Sequence, residues 1–236
     1  MKWRLLDLLV TLALLLAGAA GEASAQDDEG PDVDEHPFEV GAQLTFIGIN
    51  FPQRVVTVPA GTGTSTVLPR DHIVIAGLGG RFGYNANQYV ALEAEANYFA
   101  KRNLNEVFQN RRTQFLGGVR VGRRWEQAGL FAKARLGAMR FDEYGQRGPC
   151  TATPPGSQDC FDDARTFFAT DLGGVAEYYP TSRMIFRVDA GDTIIRFRDV
   201  GPITFPPIGT SVGSSVFTRR ETTHNFQMTF GLGFRF

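Results

Sequence analysis

Acidic and basic side chains recur two positions apart along this chain, a spacing that could support ion pairing or ion conduction. Lys133 and Arg135 are one such pair. Alternate residues of a β-strand lie on one face of a sheet, so each pair is predicted to project from the same side. The charges predicted to share this face are Glu39, Arg81, Glu93, Glu95, Arg120, Arg124, Lys133, Arg135, Asp171, Glu177, Arg187, Asp189 and Arg235.

Hydrolytic chemistry is a second possibility, and it needs a serine or similar nucleophile beside a histidine oriented by an acid. Histidine is scarce here, and Ser214, Ser215, Glu221 and His224 form the only candidate group near the end of the chain. The other two histidines outside the first 25 residues are His36 and His72. This is ordinary loop composition, so we predict no catalytic, cofactor-binding or metal-binding residues.

Eight segments with period-two alternation must position these side chains. Apolar residues occupy one parity of each segment, and polar residues or glycine occupy the other, which predicts strands with two unlike faces. The segments are residues 38–49, 72–84, 89–100, 112–125, 129–141, 166–179, 183–195 and 225–236.

The connections between the segments alternate in length. Three are short, and four are long, at about residues 50–70, 101–111, 142–165 and 196–222. Residues 54–58 and 65–68 could extend the first hairpin. The last loop is unusually apolar, so its side chains either pack on neighbouring loops or form a partner site; they are Phe197, Ile203, Phe205, Ile208 and Phe217.

The terminal strand indicates how the sheet closes. From Phe226 every even position is large and apolar, and the sequence given stops on the aromatic Phe236. An uncovered aromatic edge invites aggregation, and pairing with the first strand would remove that edge. We therefore predict an all-β fold, a closed up-and-down antiparallel barrel of eight strands.

Two kinds of barrel fit this pattern. A soluble barrel buries its apolar face, whereas a transmembrane barrel turns that face to lipid. The apolar face carries almost no charge in mid-strand, which favours lipid contact. Aromatic residues also gather near the short-turn end, which suits a girdle at the membrane interface; they are Tyr84, Tyr89, Trp125, Tyr178, Tyr179 and Phe236.

The amino-terminal segment is typical of an exported protein. Lys2 and Arg4 precede a short apolar run, and small residues lead to Ala25, so residues 1–25 are predicted to be a cleaved signal peptide. The apolar run is shorter than the roughly 20 residues of a membrane-spanning helix. Residues 26–37 form an acidic, disordered leader, and residues 38–236 form the barrel domain.

The two cysteines and the net charge limit which kinds of site and partner are expected. Cys150 and Cys160 lie in a loop rich in proline and glycine, where an exported protein is expected to form a disulfide. A metal site is the alternative, but no histidine is near. The formal net charge is −1 and the arginines are scattered along strands, so no nucleic-acid partner is expected.

The chain resembles the small bacterial outer-membrane β-barrel family, the type that includes the OmpA transmembrane domain and OmpX. The resemblance rests on residues 225–236, on Leu92-Glu93-Ala94-Glu95-Ala96-Asn97-Tyr98 and on residues 172–179. It implies an outer-membrane location, lipid contact and assembly by the barrel assembly machinery, with Phe236 as the assembly signal. A closed barrel has no edge that demands a partner, so a monomer is expected.

The charged face would then line the lumen. An eight-stranded barrel is only wide enough for side chains to fill, and buried charges must find partners. We therefore predict a network of ion pairs that plugs the lumen, and a structural or surface-interaction protein that displays four external loops and binds a surface ligand there. A narrow ion channel and a lipid A-modifying enzyme are the alternatives.

Overall fold

The structure, a computed structural model, describes residues 36–57, 65–67, 69–100, 111–142, 164–198, 200–205, 214–218 and 220–236. In this part of the chain, no helix is long and apolar enough to cross a membrane. The strands are β1 (Phe38–Asn50), β2 (Arg54–Thr57), β3 (Ser65–Val67), β4 (His72–Asn85), β5 (Val90–Phe99), β6 (Arg112–Arg124), β7 (Ala128–Phe141), β8 (Arg165–Tyr178), β9 (Met184–Phe197), β10 (Val200–Phe205), β11 (Ser214–Thr218) and β12 (Glu221–Arg235).

Eight of these strands form a closed barrel in the order β1-β12-β9-β8-β7-β6-β5-β4. Every neighbouring pair is antiparallel, so the predicted up-and-down barrel is confirmed. The barrel strands begin and end within a few residues of the predicted segments. Period-two alternation located them because each strand has one face turned inward and one outward.

The barrel closes where β1 meets β12. Glu39 pairs with Arg235 across this seam. Beyond that pair, Phe38 and Phe236 exchange backbone hydrogen bonds. The Phe38 amide donates to the Phe236 carbonyl at 3.2 Å, and the Phe236 amide donates to the Phe38 carbonyl at 3.0 Å. The two rings stack 6.0 Å apart on the outside of the barrel. The terminal strand therefore has no free edge.

A second, four-stranded sheet joins the first and last connections at the long-loop end, in the order β10-β11-β2-β3. The sequence pattern suggested only that β2 and β3 extend the first hairpin. They do pair with each other, but β2 also pairs with β11. The last connection is therefore partly ordered as a hairpin, and Phe197 lies in β9, buried inside the barrel instead of in the loop.

The outer face of the barrel is apolar. Large side chains on all eight barrel strands are exposed there, including Leu78 at 70% and Leu130 at 60%. An exposed apolar surface that encircles a barrel matches the lipid-facing band of transmembrane barrels. One predicted girdle residue differs: Tyr179 is buried, because its hydroxyl donates a 2.7 Å hydrogen bond to Glu177 in the interior.

Two adjacent glycines on β6, Gly117 and Gly118, differ in how closely a neighbouring strand approaches them. A Cβ added at Gly118 would lie 2.1 Å from the Ala134 carbonyl oxygen, whereas one at Gly117 would have nothing nearer than 3.7 Å. We expect Gly118→Ala to destabilise the β6–β7 pairing, because the clash is with backbone that cannot rotate away. Gly117→Ala is the matched control and should fold normally. The yield of heat-modifiable barrel on a gel measures both, and equal yields would contradict this expectation.

Candidate functional site

The barrel interior changes character along its axis, as the inward residues of β1 illustrate. From the short-turn end they begin with Glu39, pass Gln43 and Thr45, and finish with Ile47 and Ile49. The interior thus has a charged layer, an amide layer and an apolar cluster in that order. All thirteen charges predicted to line the lumen are buried in the interior.

Arg120 is the centre of the charged layer at the short-turn end and is completely buried. Its Nη2 lies 2.7 Å from Glu39 Oε2, its Nε lies 3.4 Å from Glu93 Oε1, and its Nη1 contacts Glu177. Glu39 also accepts from Arg235 Nε at 2.9 Å. Three carboxylates from three different strands therefore share one guanidinium. Arg124 completes this group, which we call the Arg120 group, through Glu39 at 3.4 Å.

A second group of ion pairs, the Arg135 group, lies deeper in the same layer. Arg135 donates from Nε and Nη2 to Asp171 Oδ2 at 2.9 and 2.7 Å, and its Nη1 contacts Glu95. Lys133 Nζ lies 3.0 Å from the same Asp171 oxygen. Strands β5, β7 and β8, which lie on one side of the barrel, are thus connected through the interior.

Arg187 links the two groups. Its Nη2 donates to Glu93 at 2.9 Å, and its Nε donates to Asp189 at 2.6 Å. Glu93 in turn lies within 3.9 Å of Arg135 Nη1. Twelve of the thirteen charges are joined in this way. The exception is Arg81, which forms no ion pair or hydrogen bond with any described residue although all three of its guanidinium nitrogens are buried.

The amide layer was not predicted from the sequence. Gln43 Nε2 donates to Asn97 Oδ1 at 2.9 Å, and Asn97 Nδ2 donates to Gln114 at 2.9 Å. Gln114 Nε2 donates to Gln227 Oε1 at 3.0 Å, and Thr193 Oγ1 donates to the same oxygen at 2.9 Å. These polar residues have the same parity as the charges on their strands, which is the signal that could have located them.

The apolar cluster at the long-loop end was also missed. Phe167 and Phe197 rings lie 4.7 Å apart, and Phe141 lies within 6.0 Å of both. The sequence signal is a local loss of alternation, since both parities are apolar near the long-loop ends of several strands. The buried members are Ile47, Ile49, Phe51, Phe99, Leu116, Met139, Phe141, Phe167, Ala169, Ile195 and Phe197.

His72 and His224 lie on the outer face of the barrel wall near its long-loop end, whereas His36 precedes β1 at the short-turn end. His224 Nδ1 is 2.5 Å from Asp192 Oδ2, and His72 Nδ1 is 2.9 Å from Asn50 Oδ1. Glu221, the acid considered for His224, instead contacts Arg70. The exposed His224–Asp192 pair could transfer a proton, but a hydrolytic site also needs a nucleophile beside the histidine.

Three further sequence predictions concern the disulfide, the assembly signal and the absence of a metal site. Cys150 and Cys160 lie outside the described residues, so their disulfide stays a prediction. Phe236 is half-exposed beside Phe38, and its role as an assembly signal also stays a prediction. Among the described residues, no group of three or more His, Cys, Asp or Glu side chains could hold a metal ion.

Several solved outer-membrane proteins are similar to this chain. Neisserial surface protein A is 14% identical, with 84% of this chain and 97% of that chain covered and a TM-score of 0.40. Ail of Yersinia pestis is 13% identical, with coverage of 85% and 99% and a TM-score of 0.36. The outer membrane protease OmpT of Escherichia coli is 11% identical, with coverage of 90% and 99% and a TM-score of 0.44.

Sequence comparison assigns the family. No curated protein sequence matches the chain. The family model described as the outer membrane protein beta-barrel domain, by contrast, matches residues 10–236. Its match covers all twelve strands and the whole interior site described above. The chain therefore belongs to the outer-membrane β-barrel protein family.

Proposed function

We propose that this outer-membrane barrel is a non-conducting scaffold that carries surface interactions on its long loops. The apolar cluster is the observation that carries this proposal. Its phenylalanines on the neighbouring strands β7, β8 and β9 contact one another and are almost fully buried. Phe51, which follows β1 on the opposite side of the barrel, brings its ring within 6.4 Å of Phe141 and Phe197. An ion would have to give up its hydration shell to pass such a constriction.

The charged layer supports the same function. The buried pair of Arg187 on β9 with Glu93 on β5 connects opposite sides of the barrel, and the Arg120 group joins β6 to β1. An ion path through this layer would require those pairs to separate, which leaves buried charges uncompensated. The two layers therefore close the lumen by different means, one by apolar packing and the other by charge pairing.

The second sheet supports a role at the surface. Strands β2, β3, β10 and β11 order parts of the first and last connections at the long-loop end. Loops held on a rigid scaffold are a common site of binding. In outer-membrane barrels the longer loops are external, so this sheet would face the cell exterior.

Single-channel recording tests the closed lumen. We expect the folded chain, inserted in a planar bilayer, to produce no discrete current steps. Folding is checked first by the heat-dependent shift in gel mobility, and a general porin in the same bilayer serves as the positive control. Reproducible steps from the folded wild-type chain would overturn the scaffold proposal.

That outcome would instead favour a narrow ion path, for which the row of paired charges is the supporting observation. Glu93 contacts Arg120, Arg135 and Arg187, so Glu93→Gln would then be expected to change ion selectivity. We assign no reaction to the barrel, because the His224–Asp192 pair is exposed on the outer wall, away from both polar layers.

A further inference from the structure

We propose that the barrel interior binds one small monovalent anion, held by the guanidinium of Arg81. This site goes beyond the scaffold function and does not depend on it. The described interior buries fourteen charged side chains, the thirteen above and Arg112, and the eight bases among them outnumber the six acids. Arg81 is the base for which the described residues provide neither an ion pair nor a hydrogen bond.

The surroundings of Arg81 explain why no side chain in the described part of the chain pairs with it. Its guanidinium packs against the glycine backbone of β1 and β12. A Cβ added at Gly41 would lie 3.0 Å from Nε, one at Gly231 would lie 3.1 Å from Nη1, and one at Gly233 would lie 2.9 Å from Nη2. Three glycines therefore make room for the guanidinium, and none of them offers a carboxylate.

The acidic side chains near Arg81 already pair with other arginines. Asp189 accepts from Arg187 through Oδ1, while its Oδ2 has no hydrogen-bond partner and lies beyond ion-pair distance of Arg81. Glu39 and Glu177 bond the Arg120 group. All three nitrogens of Arg81 are thus buried donors without acceptors in this structure.

The physical chemistry favours an anion over water as the missing acceptor. Isolating a buried charge costs several kcal/mol, and only a countercharge offsets that cost fully. Water supplies hydrogen-bond acceptors but no charge. The donors form a planar fork suited to a compact acceptor. The narrow, side-chain-filled lumen excludes large anions, so the occupant is a small one for which chloride and bromide are suitable probes.

Anion-dependent stability provides the first test. The folded barrel is titrated with sodium chloride while sodium gluconate keeps the ionic strength constant, and the unfolding midpoint is followed by gel mobility. A ligand that binds only the folded state raises the midpoint as its concentration rises. We expect this rise in the wild type and its loss in Arg81→Gln. The exposed Arg140→Gln is the matched control and should keep it.

Crystals of the wild-type barrel grown in bromide provide a test that needs no variant to fold. We expect an anomalous peak within hydrogen-bond distance of the Arg81 guanidinium. Two results would each overturn the site. One is an unfolding midpoint that is the same in chloride and in gluconate. The other is a map without the peak in which Asp189 has moved to pair directly with Arg81.

Discussion

Arg120→Met is expected to cause the largest loss of stability among changes in the charged layer. The wild-type guanidinium forms ion pairs with Glu39, Glu93 and Glu177 in the interior. Methionine fills similar space but leaves three carboxylates without their shared countercharge. Breaking a buried ion pair from one side costs about 3–5 kcal/mol. Urea unfolding of the barrel in lipid vesicles measures the loss.

Arg123→Met is the matched control, because Arg123 lies on the same strand and faces outward. That variant should retain nearly all of the wild-type stability. Arg120→Lys should recover part of the loss, since it restores one charge but not the geometry that joins three acids. Equal effects of Arg120→Met and Arg123→Met would show that the Arg120 group contributes little to stability.

Phe197→Ala is expected to have the second large effect. The ring is fully buried in the apolar cluster and lies 4.7 Å from Phe167 and 6.0 Å from Phe141. Truncating a buried phenylalanine costs about 3–5 kcal/mol, because transfer free energy is lost and a cavity remains. The same urea unfolding experiment measures this change.

Phe186→Ala provides the comparison on the same strand, since Phe186 is half-exposed on the outer face. Its loss should be clearly smaller. A double-mutant cycle between Phe141 and Phe197 should also give a coupling energy of about 0.5–3 kcal/mol, as contacting residues do. Additive effects, with no coupling, would mean that the rings do not act together in closing the lumen.

The sequence predicted the barrel strands because each has one face in the interior and one face outside. That alternation also located every charge of the Arg120 and Arg135 groups. It could not predict which acid pairs with which base, because partners such as Arg120 and Glu39 lie on strands far apart in sequence. Pairing across a lumen depends on register and side-chain reach, which a single strand does not encode.

The apolar cluster escaped prediction for a different reason. Ile47 and Ile49 share the inward parity of Glu39, so the face that is polar at one end of β1 becomes apolar at the other. A prediction that gives the whole inward face of a strand one polarity therefore fails where the interior changes from polar to apolar. The pairing of β2 with β11 also could not be predicted, because short strands in different loops have too few residues to show alternation.

The pairing of β2 with β11 has a consequence for the order of folding. These strands directly follow β1 and precede β12, so their contact lengthens the β1–β12 seam beyond the barrel wall. Both contacts join opposite ends of the chain, and the conformational entropy lost on closing a loop grows with its length. Neighbouring hairpins can form from local contacts, whereas the seam becomes favourable only after they are in place. We therefore expect closure to be the late step, and the β10-β11-β2-β3 sheet adds hydrogen bonds to the contact that forms last.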